Sequence, residues 1–206
     1  MMNPIFLSAS IPEQGEPGVP EADPLLIHAA IRAFLALVLG RRHIVWGGHP
    51  SITPMVHAAC SDLGLEYLDC VTLYQSLFFK DVFPADNEHF DNIVYIPEGA
   101  DLETSLNALR QAIFIENDFD GAVFIGGKKG VEDEYILLQN LQPHAVLVPI
   151  HAPGGTASDL ALRAGYQPDA DEYATDFTSL LIERLGVTPS EPRTIVSNKK
   201  RHGAKP

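Results

Sequence analysis

Glu134 is the residue in this 206-residue chain whose setting points most directly to chemistry. It closes the run Gly126-Gly127-Lys128-Lys129-Gly130-Val131-Glu132-Asp133-Glu134. Glycines there let a ligand approach the backbone, and two lysines offer cations. Three acids open the helix that follows. Carboxylates in a first turn stabilise a helix through its dipole, and that role fits Glu132 and Asp133 as well as a ligand role does. A phosphate would be repelled by three acids, whereas ribose hydroxyls donate to a carboxylate. A ribose is therefore expected near Glu134, with phosphates elsewhere. The candidates are the amides of Gly48 and His49, those of Gly155 and Thr156, and Lys128, for which a solvated turn is an equal alternative.

Three more turns of small residues follow apolar runs in the same way. Ile5–Leu7 leads into Ser8-Ala9-Ser10, and His43–Trp46 into Gly47-Gly48-His49-Pro50. Ala145–Ile150 leads towards Pro153-Gly154-Gly155-Thr156. Ser8 and Ser10 are expected after the first strand, bonding a phosphate or a base edge or capping a turn. His49 is a candidate phosphate donor, with an ordinary loop histidine as the alternative. Gln75 and Ser76 are candidates for a base or a second ribose. No metal spacing stands out, since His49 and His57 lie eight apart and no acid is placed with them. No Gly-x-Ser-x-Gly elbow surrounds Ser8 or Ser51, which disfavours a serine hydrolase.

The elements that must position these residues alternate between strand and helix. Strands are expected at 5–7, 43–46, 93–96, 122–125 and 145–150, and Leu65–Tyr74 reads as β-like. Helices are expected at 25–39, from Thr53 to a stop at Gly64, and at 102–116, 131–141, 158–164 and 177–185. Asp23 before Pro24 and Asp101 before Leu102 read as N-caps. Gln75–His89 reads as an irregular aromatic and charged loop, either a lid or a packing flap. Arg32 lies in the nearly apolar run Leu25–Leu39, so it is expected to be buried and to need a partner. The alternation implies an α/β domain, doubly wound, with a mainly parallel sheet and helices on both faces. Ligands in such sheets sit beyond the carboxyl ends of the strands, where the four turns should converge. Residues 1–187 read as one domain and 188–206 as a polar basic tail carrying Lys199, Lys200, Arg201 and Lys205.

Bulk composition narrows the function classes. Hydrophobic residues make up 46% and charged residues 20% of the chain, as in globular proteins. A net charge of −13 opposes binding to nucleic acid or an anionic membrane, which requires an excess of cations. Cys60 and Cys70, the only cysteines, make neither a disulfide framework nor a four-ligand zinc site, so a reducing cytoplasm is the simplest compartment. Met1–Ser10 has no positive charge before its apolar run and does not read as a signal peptide.

Four motifs in order carry a resemblance. Ile-Phe-Leu-Ser-Ala-Ser at 5–10, Trp-Gly-Gly-His-Pro-Ser-Ile-Thr-Pro at 46–54, Leu-Tyr-Gln-Ser-Leu-Phe-Phe at 73–79 and Phe-Ile-Gly-Gly-Lys-Lys-Gly-Val-Glu-Asp-Glu-Tyr at 124–135 resemble the SLOG superfamily. This is the Rossmann-like group related to the Lonely Guy and DprA/Smf proteins. The chain looks most similar to the branch associated with sirtuin, TIR and other effectors in bacterial anti-phage systems. The resemblance implies a sensor or processor of nucleotides, including NAD-derived, ADP-ribose-like or cyclic signals. It also implies a homodimer or larger assembly and a separate effector protein as partner. Lonely Guy enzymes use a Pro-Gly-Gly-x-Gly-Thr-x-x-Glu motif to hydrolyse N-glycosidic bonds. Here Ile125 replaces the proline, an additional lysine separates the glycines and Val131 replaces the threonine, while Glu134 keeps the acid.

The expected function is therefore binding of a small nucleotide ligand without turnover, with no cofactor and no metal. The ligand set is Ser8, Ser10, Gly47, Gly48, His49, Gln75, Ser76, Gly126, Gly127, Lys128, Gly130, Glu134, Gly154, Gly155 and Thr156. The first alternative is a nucleotide N-glycosidase with Glu134 catalytic, because a carboxylate beside ribose stabilises an oxocarbenium-like transition state. The second is a structural adaptor with a vestigial pocket.

Overall fold

A computed structural model of the chain describes residues 3–13, 15, 20–167 and 175–194. Much of the loop Glu13–Glu21 and the basic residues Lys199, Lys200, Arg201 and Lys205 lie outside them. Six parallel strands form one sheet: β1 (Ile5–Ser10), β2 (Ile44–Trp46), β3 (Val71–Ser76), β4 (Ile93–Ile96), β5 (Gly121–Gly126) and β6 (Val146–Ile150). Their order is β4-β3-β2-β1-β5-β6, so the winding reverses at β1. This is the Rossmann-like α/β arrangement expected from the alternation of strands and helices.

Period-two alternation sends each strand's side chains to two cores. Ile5 and Leu7 of β1, Ile44 and Trp46 of β2, and Val123 and Ile125 of β5 join one core. That core packs against α1 (Pro24–Val38), α2 (Thr53–Leu63) and α6 (Phe177–Leu185). Phe6, Val45, Ala122 and Phe124 point the other way. They meet α3 (Leu102–Glu116), α4 (Lys129–Leu141) and α5 (Gly155–Arg163). Asp23 caps α1 by accepting from the Leu25 and Leu26 amides, with Pro24 in the first turn. Asp101 and Thr104 form a capping box on α3.

Several local expectations are corrected. Ser8, Ala9 and Ser10 are strand residues, paired with Phe124, Ile125 and Gly126. Gln75 and Ser76 likewise end β3, paired with Tyr95 and Ile96. Leu65–Cys70, expected to be β-like, is a 3-10 helix. Gln75–His89 is irregular only after Ser76, as two 3-10 turns over Leu77–Val82 and Ala85–His89. Arg32 is exposed, because α1 turns a stripe of Leu25, His28, Ala29, Arg32 and Ala36 to water. After α6, the chain folds back on α1. Arg41 donates from Nε to the Glu191 carbonyl at 2.9 Å, and Arg42 pairs with the Glu191 carboxylate at 2.6 Å.

Both cysteines are buried, and neither is in a disulfide. Burial, helped by the neighbouring Cys70, pushes the Cys60 thiol up to about 12. The thiolate is the reactive form, so a thiol titration should find neither cysteine fast-reacting in the native protein and both in denaturant. A rapidly labelled thiol in the folded chain would contradict this packing.

Candidate functional site

The carboxyl ends of β1, β2 and β3 open into a cavity of about 600 Å³, within the range of small-molecule sites. It lies where the winding reverses, the position at which open α/β sheets bind ligands. Its floor includes Ser8, Ser10 and the turn Gly47-Gly48-His49. Phe79, Val82, Phe83 and Pro84 of the irregular segment form one wall, and Leu102, Leu106, Leu109 and Arg110 of α3 another. Lys128, Gly130, Val131 and Glu134 complete it from the start of α4.

Strand parity explains the central contact. Ser8 shares the face of Phe6, which α3 and α4 cover. On α4, Val131 and Leu138 are buried, and Glu134 falls between them on the same inward stripe. Ser8 Oγ accordingly donates to Glu134 Oε2 at 2.5 Å. Protein surrounds this carboxyl closely, yet 19% of its side chain stays exposed in the cavity it lines. Desolvation holds its pKa above the ordinary glutamate value, outweighing the Ser8 hydrogen bond and the Arg110 charge, which act the other way.

The other two acids have structural partners. Glu132 accepts from Arg163 of α5 at 2.7 Å. Asp133 lies 3.4 Å from Arg110 Nη1. Arg110 is a member of the site that the sequence analysis missed. It is 8% exposed, its Nε is 3.9 Å from Glu134 Oε1, and that buried Nε–H has no hydrogen-bond partner. The signal was available: position 110 lies on the inward stripe of α3 with Leu106 and Ile113, where a charge requires a reason.

The second turn is held from below. Gln75 Nε2 donates to the Gly48 carbonyl at 3.1 Å. Gly48 adopts φ +69°, and a Cβ there would fall 2.0 Å from Gln75 Nε2. Gln75 thus positions the turn as well as lining the cavity. The Ser51 amide and hydroxyl both reach His49 Nδ1, at 3.3 and 2.8 Å. An amide can only donate, so Nδ1 is an acceptor and the neutral ring carries its proton on Nε2. Crowding by surrounding protein, then the Lys128 charge, lowers the His49 pKa and favours that neutral form. Ser76 Oγ accepts from the Phe78 amide at 3.3 Å and caps the following 3-10 turn.

The four turns do not all reach the cavity. Gly126 and Gly127 lie behind it, where the Gly127 amide donates to the Ser10 carbonyl at 2.9 Å. Gly154, Gly155 and Thr156 are also outside its lining. The Gly155 amide donates to Glu21 O at 2.8 Å and the Thr156 amide to Gly127 O at 3.1 Å. Both protons proposed for a phosphate are therefore occupied in joining the β5 and β6 turns to each other and to the start of α1. A further juxtaposition was invisible in the sequence. His57 does have an acid beside it, Asp86, with Nδ1 and Oδ1 3.1 Å apart.

None of the described helices is long and apolar enough to cross a membrane. A search of curated proteins finds no match. A family model, the SLOG cluster3 family, matches residues 19–185, starting after β1 and covering β2 to β6 and α1 to α6 among the described residues. The chain therefore belongs to the SLOG cluster3 family, whose membership implies a nucleotide-related role in binding or modification.

Proposed function

We propose that the cavity binds a nucleotide or an NAD-derived, ADP-ribose-like signal without turnover, as the sensing half of a bacterial anti-phage pathway with a separate effector. The observation that carries this reading is Glu134: a carboxylate in a cavity of nucleotide size, oriented by Ser8 and backed by a buried arginine. A carboxylate accepts from both vicinal hydroxyls of a ribose. The two apolar walls, Phe79 and Phe83 on one and Leu102 and Leu106 on the other, suit a base. Phosphates then fall towards the His49 Nε2–H, the Gly48 turn and Lys128, away from the acid. Arg110 Nε–H supplies a further donor beside Glu134. The fourth turn is not part of this proposal, because its amides are bonded elsewhere.

Thermal unfolding with a panel of mono-, di- and cyclic nucleotides, ADP-ribose and NAD tests the reading. A ligand at about 100 times its Kd should add about 2.7 kcal/mol of stability. No shift with any member of the panel would refute it. Lys128→Ala should weaken the responding ligand more as its phosphate charge increases.

One observation favours turnover as a second reading. A glutamate whose native pKa is raised has the character of a general acid, as N-glycosidic cleavage needs. Free base accumulating from AMP, ADP-ribose or NAD, and abolished by Glu134→Gln, would establish it over simple binding.

A further inference from the structure

The irregular segment after β3 does more than wall the cavity. Its second 3-10 turn, Ala85–His89, carries Asp86 and His89 against His57 of α2. His57 Nδ1 lies 3.1 Å from Asp86 Oδ1. The rings of His57 and His89 stack with centroids 4.1 Å apart and planes 8° apart. One ligand atom from each of the three residues lies within 4.8 Å of the other two. The same turn contains a second irregularity: Asn87 is 5% exposed, and neither atom of its amide has a hydrogen-bond partner.

A hydrogen bond accounts for His57 and Asp86. It does not account for the second imidazole, His89, which the same turn lays over the His57 ring. Two imidazoles and one carboxylate form a donor set suited to zinc-class ions, not to calcium or magnesium, which take oxygen ligands. Bonds of about 2.1 Å in a tetrahedral shell put ligand atoms roughly 3.4 Å apart. The His57–Asp86 spacing already meets that. His89, exposed on a short turn, must close by at most about 1.4 Å and leave the stack to reach the same spacing.

We propose that His57, Asp86 and His89 bind one divalent transition-metal ion of zinc's class, with water completing its shell. The ion would fasten to α2 the segment that holds Phe79, Val82, Phe83 and Pro84 against the cavity. Occupancy would then stiffen a wall of the site. This is independent of which nucleotide, if any, the cavity takes.

Equilibrium dialysis of the full chain against zinc chloride tests the proposal, with His89→Ala, Asp86→Asn and the double variant His57→Ala/His89→Ala beside the parent. One zinc per chain is expected in the parent, with affinity at least about 100-fold weaker in His89→Ala and binding lost in the double variant. Cobalt substitution should give the visible absorption of a four-coordinate ion, lost in the same variants. His89 is exposed, so its replacement leaves the fold intact, as a far-ultraviolet dichroism spectrum will verify. Absence of stoichiometric zinc on the parent, or zinc retained unchanged by the double variant, would overturn it.

Discussion

Glu134→Gln is expected to make the ligand-free protein more stable at pH 7–8 while weakening nucleotide binding roughly 10- to 100-fold. The stability half follows from linkage. Burial raises the native pKa of Glu134, so the folded chain holds this proton more tightly than the unfolded chain. The stabilisation this represents is fully present below the ordinary glutamate value of about 4.3. It is lost as pH rises through the raised native value. At neutral pH the parent thus carries the cost of a desolvated charge, which glutamine does not. Glutamine can still accept from Ser8, so that contact is not forfeited. The stability gap between variant and parent should close as pH falls below about 4.

The binding half follows from charge. Hydrogen bonds to a charged group contribute about 1.5–3 kcal/mol, equivalent to roughly 10- to 100-fold in affinity. The two effects have opposite signs, which separates them from general damage. Thermal melts from pH 4 to 8, paired with a titration of the responding nucleotide, measure both. A variant that is less stable at pH 8 and binds as the parent does would reduce Glu134 to a structural residue.

The second large effect concerns the junction of the β5 and β6 turns. Gly155 has φ +68°, and a Cβ there would lie 2.6 Å from the Gly126 carbonyl carbon and 2.9 Å from its Cα and O. These are backbone atoms, so no rotamer change relieves the overlap. Gly155→Ala should therefore cost on the order of 3 kcal/mol, combining left-handed strain with displacement of the turn. That corresponds to a fall in Tm of about 6–12 °C for a domain of this size. Gly186→Ala is the control. It has φ +66° but nothing within 4 Å of the added Cβ, so strain alone applies, about 1 kcal/mol and 2–4 °C. Calorimetric melts of the two variants compare them directly. Equal losses would show that the turn–turn contact does not set the cost.

The frame of the fold was legible because its signals are local. Asp23-Pro24 and Asp101 announce helix starts through their own side chains. Short apolar runs identify all the strands but β3 without knowledge of their neighbours. The misreadings arose where a partner decided the outcome. Ser8-Ala9-Ser10 looks like a turn by composition, yet β1 lies between β2 and β5, and β5 continues to pair it through Ser10. Cross-strand pairing overrides intrinsic preference there. Gln75 and Ser76 are drawn into β3 by β4 in the same way.

The site divides along the same line. Glu134 could be found because glycines, lysines and acids all lie within the nine residues 126–134. Arg110 was detectable from the stripe of α3, but the apolar pattern around it drew attention to the core. Arg32 shows the reverse error: a mostly apolar run concealed a narrow wet stripe. His57 and Asp86 are 29 residues apart, and only the path of the chain around the cavity brings them together. The glycine turn after β6 shares its composition with the others, but its amides bond to carbonyls from distant loops, which no local pattern reveals.

A crystal structure with the nucleotide that stabilises the protein most tests the central claim directly. Ribose hydroxyls are expected within hydrogen-bond distance of the Glu134 carboxylate, with the base against Phe79 and Phe83 and the phosphates turned towards His49 and Lys128. A sugar facing away from Glu134, or a nucleotide seated outside this cavity, would contradict it.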